Sequence, residues 1–242
     1  MRNAIWMLVL ILFVGLAVGV WWTVRSLDGL VARAIEHYGS ELTGTEVAVG
    51  SVNIELTEGR GAVDRVTIAN PSGFSSERAV SLGHGSIVID PTAATRTLIE
   101  IDEITMSGSR LVLELDERGR SNLATLKKHI ESATANASTS TDAPRLRVGT
   151  LQFEDGVVVV DATALGGERM ERNLPTVRLS NLGGVNGAPP AEIGRAALVA
   201  LLDRAAREAV TDELRNRLQA ELEERGGEAG AAVGRLLGAI GD

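Results

Sequence analysis

The pattern of apolar and polar positions changes character along the chain, and each change predicts an element. From Ala4 to Val24 no residue is charged, and as a helix this run rises roughly 30 Å, the thickness of a bilayer's hydrocarbon core. Trp6 near one end and Trp21 with Trp22 near the other stand where indoles settle at the two interfaces. Residues 1–25 therefore read as a transmembrane anchor. The apolar stretch outruns the roughly 7–15 residues of a signal-peptide core, so retention is expected rather than cleavage near Gly19. Leu27, Leu30, Val31, Ala34, Ile35 and Tyr38 then recur at helical spacing, which predicts a juxtamembrane helix within 26–44.

After Gly44 the period falls to two. Val47 and Val49 alternate with polar neighbours, and beyond Gly50-Ser51 the apolar set resumes one residue out of phase at Val52 and Ile54. An extra residue of the β-bulge kind would return these side chains to one face. The same slip separates Ile99 and Ile101 from Ile104 and Met106, and Leu146 and Val148 from Leu151 and Phe153. The three copies start at Val47, Ile99 and Leu146, spaced 52 and 47 residues apart, and Val177 to Leu182 begins a fourth. Periods of this size mark repeats that bury an apolar face only beside their neighbours. The expectation is α+β: a curved antiparallel sheet of bulged strands over 45–131 and 145–189, with a helix capped by Ser121 ending the first block. Residues 132–144, rich in Ser, Thr and Ala, read as a flexible linker.

Past Pro189-Pro190, Leu198, Leu202, Ala206, Val210, Leu214, Leu218 and Leu222 recur at four-residue steps, with Leu201, Ala205 and Ala209 beside them. A long amphipathic helix and tail are expected over 190–242, with Asp203 and Arg207 spaced to pair on its solvent face. The doublets Leu198-Val199 and Leu201-Leu202 widen its apolar face enough to dock a protein partner.

Composition narrows the chemistry. Only three of the chain's aromatic residues, Tyr38, Phe74 and Phe153, follow the first 22 positions, so the core must be built from Val, Ile, Leu and Ala. The net charge of −8, with Lys only at 127 and 128, argues against nucleic acid as a partner. The chain has no cysteine, hence no disulfide and no thiolate site. His37, His84 and His129 stand apart from any second ligand at metal spacing, and no nucleophile elbow, zinc motif, Walker loop or dinucleotide fingerprint occurs. Asp90, Asp102, Asp116 and Asp161 fall at strand ends or slips, where carboxylates satisfy local amides. The residues thus nominate no catalytic, cofactor or metal site.

The order of the features resembles the AsmA family of bacterial envelope proteins. The resemblance is carried by the anchor, the helix before Thr45, the run Val47 to Leu56 and the segment Val66-Thr67-Ile68-Ala69-Asn70-Pro71-Ser72-Gly73-Phe74. Ile99 to Ile104, the turn Arg118-Gly119-Arg120-Ser121-Asn122-Leu123, and Leu174 to Gly184 before a long helix complete it. It implies a single-pass inner-membrane protein with its bulk in the periplasm, non-enzymatic, acting in outer-membrane biogenesis with phospholipid as ligand. A β region this short cannot span a periplasm, at about 4.8 Å per strand. The candidates for lipid contact are Val47, Val49, Val52, Ile54, Ile99, Ile101, Ile104 and Met106.

Overall fold

A computed structural model of the chain describes residues 28–55, 58–89, 97–136 and 145–209. The anchor predicted at 1–25, the rest of the linker at 137–144 and the helix beyond Ala209 lie outside these residues. No helix among the described residues is long and apolar enough to cross a membrane.

Helix α1 covers 28–43 and leads into β1 (Val47–Glu55), β2 (Arg60–Ala69) and β3 (Arg78–Ile89). Strands β4 (Leu98–Ser107) and β5 (Arg110–Glu114) precede α2 (Asn122–Asn136). Then come β6 (Arg145–Glu154), β7 (Gly156–Asp161), β8 (Arg169–Leu174), β9 (Val177–Leu182) and α3 (Pro190–Ala209). The class is α+β, with the nine strands in one open sheet.

The registers show that three pairs of these strands are halves of longer ones. β4 and β5 meet β3 on one line, with Ser107 opposite His84 and Arg110 opposite Ser81. β6 and β7 follow β4 and β5 at a single offset, Ser107 facing Glu154 and Arg110 facing Val157. β9 and β8 likewise share one register on β6 and β7, Phe153 facing Val177 and Gly156 facing Leu174. The sheet is thus six ribbons in sequence order: β1, β2, β3, β4–β5, β6–β7 and β8–β9.

The expected antiparallel sheet is mixed instead. The third and fourth copies of the strand pattern pair antiparallel as β6 and β9, but the second and third, β4 and β6, pair parallel. A parallel neighbour needs a return connection along the sheet, and α2 lies in that connection. Its helix runs on to Asn136, into the stretch expected as linker. The 47-residue spacing read from Ile99 to Leu146 is the parallel register itself, since these two residues are partners.

The phase slips are real, but most are not bulges. Gly50 lies opposite Arg65, and that position continues through Gly83, Gly108, Asp155 and Pro175, where pairing lapses in every ribbon without a net change of register. Arg65, Gly108 and Asp155 hold positive φ of 54°, 66° and 51° on this line. A second line runs through Asp102, Gly149 and Asn181, with Asn181 at φ 55°. Only against β3 does it produce a bulge, between Val88 and Ile89. Each strand slips where its neighbour slips, so the sheet is creased transversely while its apolar set stays on one face.

That face carries the core. Leu111, Leu113, Leu115, Val158 and Val160 pack under Leu123, Leu126 and Ile130 of α2 and Ile193, Ala197, Leu201, Leu202 and Ala205 of α3. Ser121 Oγ accepts from the amide of Ala124 (3.3 Å) as the expected N-cap of α2. Leu198 and Val199 are half-buried against the same core, so both doublets of α3 serve it. Asp203 pairs not with Arg207 but with Lys127 of α2 (2.6 Å), and Arg204 takes Glu208 (3.1 Å).

Candidate functional site

Between the two creases the inner face forms two apolar rows that cross every ribbon. One row is Val52, Val63, Gly85, Met106, Phe153 and Val177, each a register partner of the next. The other is Ile54, Gly61, Ile87, Ile104, Leu151 and Leu179. Val63, Leu151 and Phe153 are buried, whereas Val52, Ile54, Ile87, Ile104, Met106, Val177 and Leu179 are half-buried. The rows exist because period-two alternation is reset in all six ribbons at the same line, so no ribbon turns its polar side inward here.

The glycines shape the strip. A Cβ at Gly85 would lie 2.5 Å from Met106 Sδ, so the thioether fills the space that glycine leaves. A Cβ at Gly149 would lie 2.7 Å from the carbonyl oxygen of Asp102, where the second crease brings two backbones together. α2 and α3 make their main contacts with β5 to β9, leaving β1 to β4 as the part of the strip farthest from them.

Of the sequence candidates, Val52, Ile54, Ile104 and Met106 lie in the two rows. Val49 and Ile99 flank them and are half-buried. Val47 and Ile101 lie outside the rows as core residues, 5% and 8% exposed. The members in β2, β3, β6 and β9, among them Val63, Ile87, Leu151 and Val177, were missed, because a row across a sheet depends on register and no local pattern in a single strand carries it. Ile87-Val88-Ile89 identifies a strand but not its neighbours.

The polar groups are scattered. His84 Nδ1 lies 2.6 Å from Asp64 Oδ1, and Ser51 Oγ donates to Asp64 Oδ2 at 3.2 Å, on exposed side chains. The hydrogen bond to His84 chiefly holds the Asp64 carboxyl below its ordinary range, against a smaller opposing effect of desolvation and with help from Ser51. Ser51 bonds the carboxylate and not the imidazole, so the trio lacks the nucleophile-to-base contact of acyl-transfer sites. At Asp116, desolvation pushes the pKa up but is outweighed by the amides of Arg120 and Arg118 and by the Arg120 side chain. Asp161 is likewise desolvated, and Thr163 and Arg169 bring its pKa down. Both carboxylates thus do local turn work. Asp102 is exposed beside a cleft of about 310 Å³ in which Arg147 and Glu100 are paired; Asp90 lies outside the described residues. His129 Nδ1 sits 3.3 Å from the carbonyl of Thr43, and His37 Nε2 lies 3.6 Å from Glu41. Among the described residues no three His, Cys, Asp or Glu side chains gather as a metal site.

No family model, curated protein or solved structure matches the chain.

Proposed function

We propose that this is a non-enzymatic, AsmA-like envelope protein, held in the bacterial inner membrane by residues 1–25 with its bulk in the periplasm. In this reading it binds phospholipid acyl chain along the creased strip of its sheet and serves outer-membrane biogenesis. The observation that carries the reading is the pair of rows that cross all six ribbons without a polar side chain, interrupted only by Gly61 and Gly85. Five spacings of about 4.8 Å make the strip roughly 24 Å wide, longer than one leaflet's acyl layer of about 15 Å. The sequence order of anchor, helix, slipped strands and turn motifs supports the family reading. Two of those motifs meet in space, since Asn122 Nδ2 donates to Asn70 Oδ1 at 2.7 Å.

The test is photolabelling of the full-length chain in vesicles containing phospholipid with a diazirine on its acyl chain, followed by peptide mapping. Label is expected on Val52, Ile54, Ile87, Ile104 and Met106 as well as within residues 4–24. Label confined to 4–24 overturns the lipid reading.

A further inference from the structure

We propose that the outward face of α1 lies on the bilayer surface, with Leu30, Ala34 and Tyr38 seated at the headgroup boundary. The proposal deepens the lipid reading and rests on its first element, the span at 1–25.

α1 is two-faced. Toward the sheet it runs beside β1 and supplies acceptors for that strand's free amides. Ile54 N donates to Asp28 Oδ1 (3.0 Å), Val49 N to Glu36 Oε1 (3.0 Å) and Val47 N to Ser40 Oγ (2.9 Å). Val31, Ile35 and Leu42 are half-buried or buried. The opposite face carries Leu30, Arg33, Ala34, His37, Tyr38 and Glu41, all exposed. Leu30 and Tyr38 are 54% and 62% exposed, and apart from them only Val88 and Val185 are large apolar side chains left exposed among the described residues. Leu30, Ala34 and Tyr38 stand four residues apart, so they form one line along the helix.

The occupant follows from the chain that precedes the helix. The uncharged run ends at Val24 and the helix is described from residue 28, four residues on, a separation of at most roughly 14 Å even for a fully extended chain. A helix standing upright from that point would carry Tyr38 about 12 Å beyond Leu30, past the interface; lying flat it holds all three side chains at one depth. Tyr has an apolar ring and a polar tip, the chemistry that settles at the headgroup level. Arg33 flanks the line and can extend its guanidinium to lipid phosphates. Of the helix's three acidic residues, Asp28 and Glu36 are turned away, toward β1, and Glu41, on the outward face, lies 3.6 Å from His37 Nε2. Because α1 lies along β1, this placement sets the end of the strip that bears Val52 and Ile54 next to the membrane, which makes that edge the entrance for an acyl chain.

The absence of cysteine allows single labels without background. Full-length Leu30→Cys, Ala34→Cys and Tyr38→Cys would each carry a fluorophore in phosphatidylcholine–phosphatidylglycerol vesicles containing a doxyl-lipid quencher. Val14→Cys reports the span, and Val185→Cys reports the opposite edge of the sheet. Quenching at the three α1 positions is expected to exceed that at Val185→Cys by threefold or more. Quenching at Val14→Cys alone, with α1 no higher than Val185→Cys, overturns the placement of α1 while the anchor stands. Absence of quenching at Val14→Cys overturns the span and the placement together.

Discussion

Asn122 shows how one side chain ties distant sequence together. It is fully buried, and its amide makes four hydrogen bonds: Oδ1 accepts from the amides of Glu114 (2.9 Å) and Leu123 (2.7 Å), and Nδ2 donates to Asn70 Oδ1 (2.7 Å) and Val112 O (2.8 Å). Glu114 in turn accepts from the amide and hydroxyl of Ser75 (2.9 and 2.6 Å), so the turn after β2, the strand β5 and the start of α2 share one network. Replacement of Asn122 by Ala strands buried groups worth roughly 1–3 kcal/mol each, and a loss of about 2–4 kcal/mol is expected from urea unfolding at unchanged m-value. Asn122→Asp keeps the two accepting bonds but aims an oxygen at two oxygens. It should therefore be at least as damaging as Ala, whereas Asn70→Ala, at a half-buried position, should cost less.

At the scale of elements, the edge of the sheet is the point of interest. A free strand edge invites pairing with another chain, and here α1 supplies side-chain oxygens where a further strand would supply carbonyls. The slip at Gly50 explains which amides they serve: Val47 and Val49 point outward before it and Ile54 after it. Glu36→Ala should speed hydrogen exchange at Val49 well beyond that at Val80, while Glu36→Gln, which keeps an acceptor, should leave it near the original rate. Unchanged exchange in Glu36→Ala would remove the capping role. Much of this level was legible in the sequence. The slips at Gly50, Asp102, Gly149 and Asn181 were visible because apolar phase is a local property, and the Ser121 cap because its signal is contained in one turn. Three things were not legible. The slips align into creases only through register, strands of period two look the same with parallel or antiparallel partners, and the two apolar lines of α1 interleave as one broad stripe. In that stripe only the positions of Asp28 and Glu36 tell the sheet side from the outside.

At the scale of the molecule, the sequence blocks 45–131 and 145–189 become one sheet, because β4–β5 and β6–β7 pair along their whole length. The candidate strip draws its rows from both blocks, so neither contains the site alone. The core beneath it is likewise shared: Leu111 of β5 and Val158 of β7 are register partners, both at 0% exposure, under α2 and α3. Coupling of this kind predicts that the described β region unfolds as one unit. Leu111→Ala should lower stability by about 2–5 kcal/mol through lost burial and the cavity left behind. If the sheet is a single cooperative body, slowly exchanging amides of β2 and of β7 should lose protection by equal free energies in that variant. Unequal losses, with β2 unchanged while β7 opens, would divide the sheet at the β3 to β5 pairing. β3 meets the β4–β5 ribbon through Val80 to Leu111 and Ser81 to Arg110 at the β5 end and through His84 to Ile89 at the β4 end, so a division would first show at the β5 end, where the pairing is shortest.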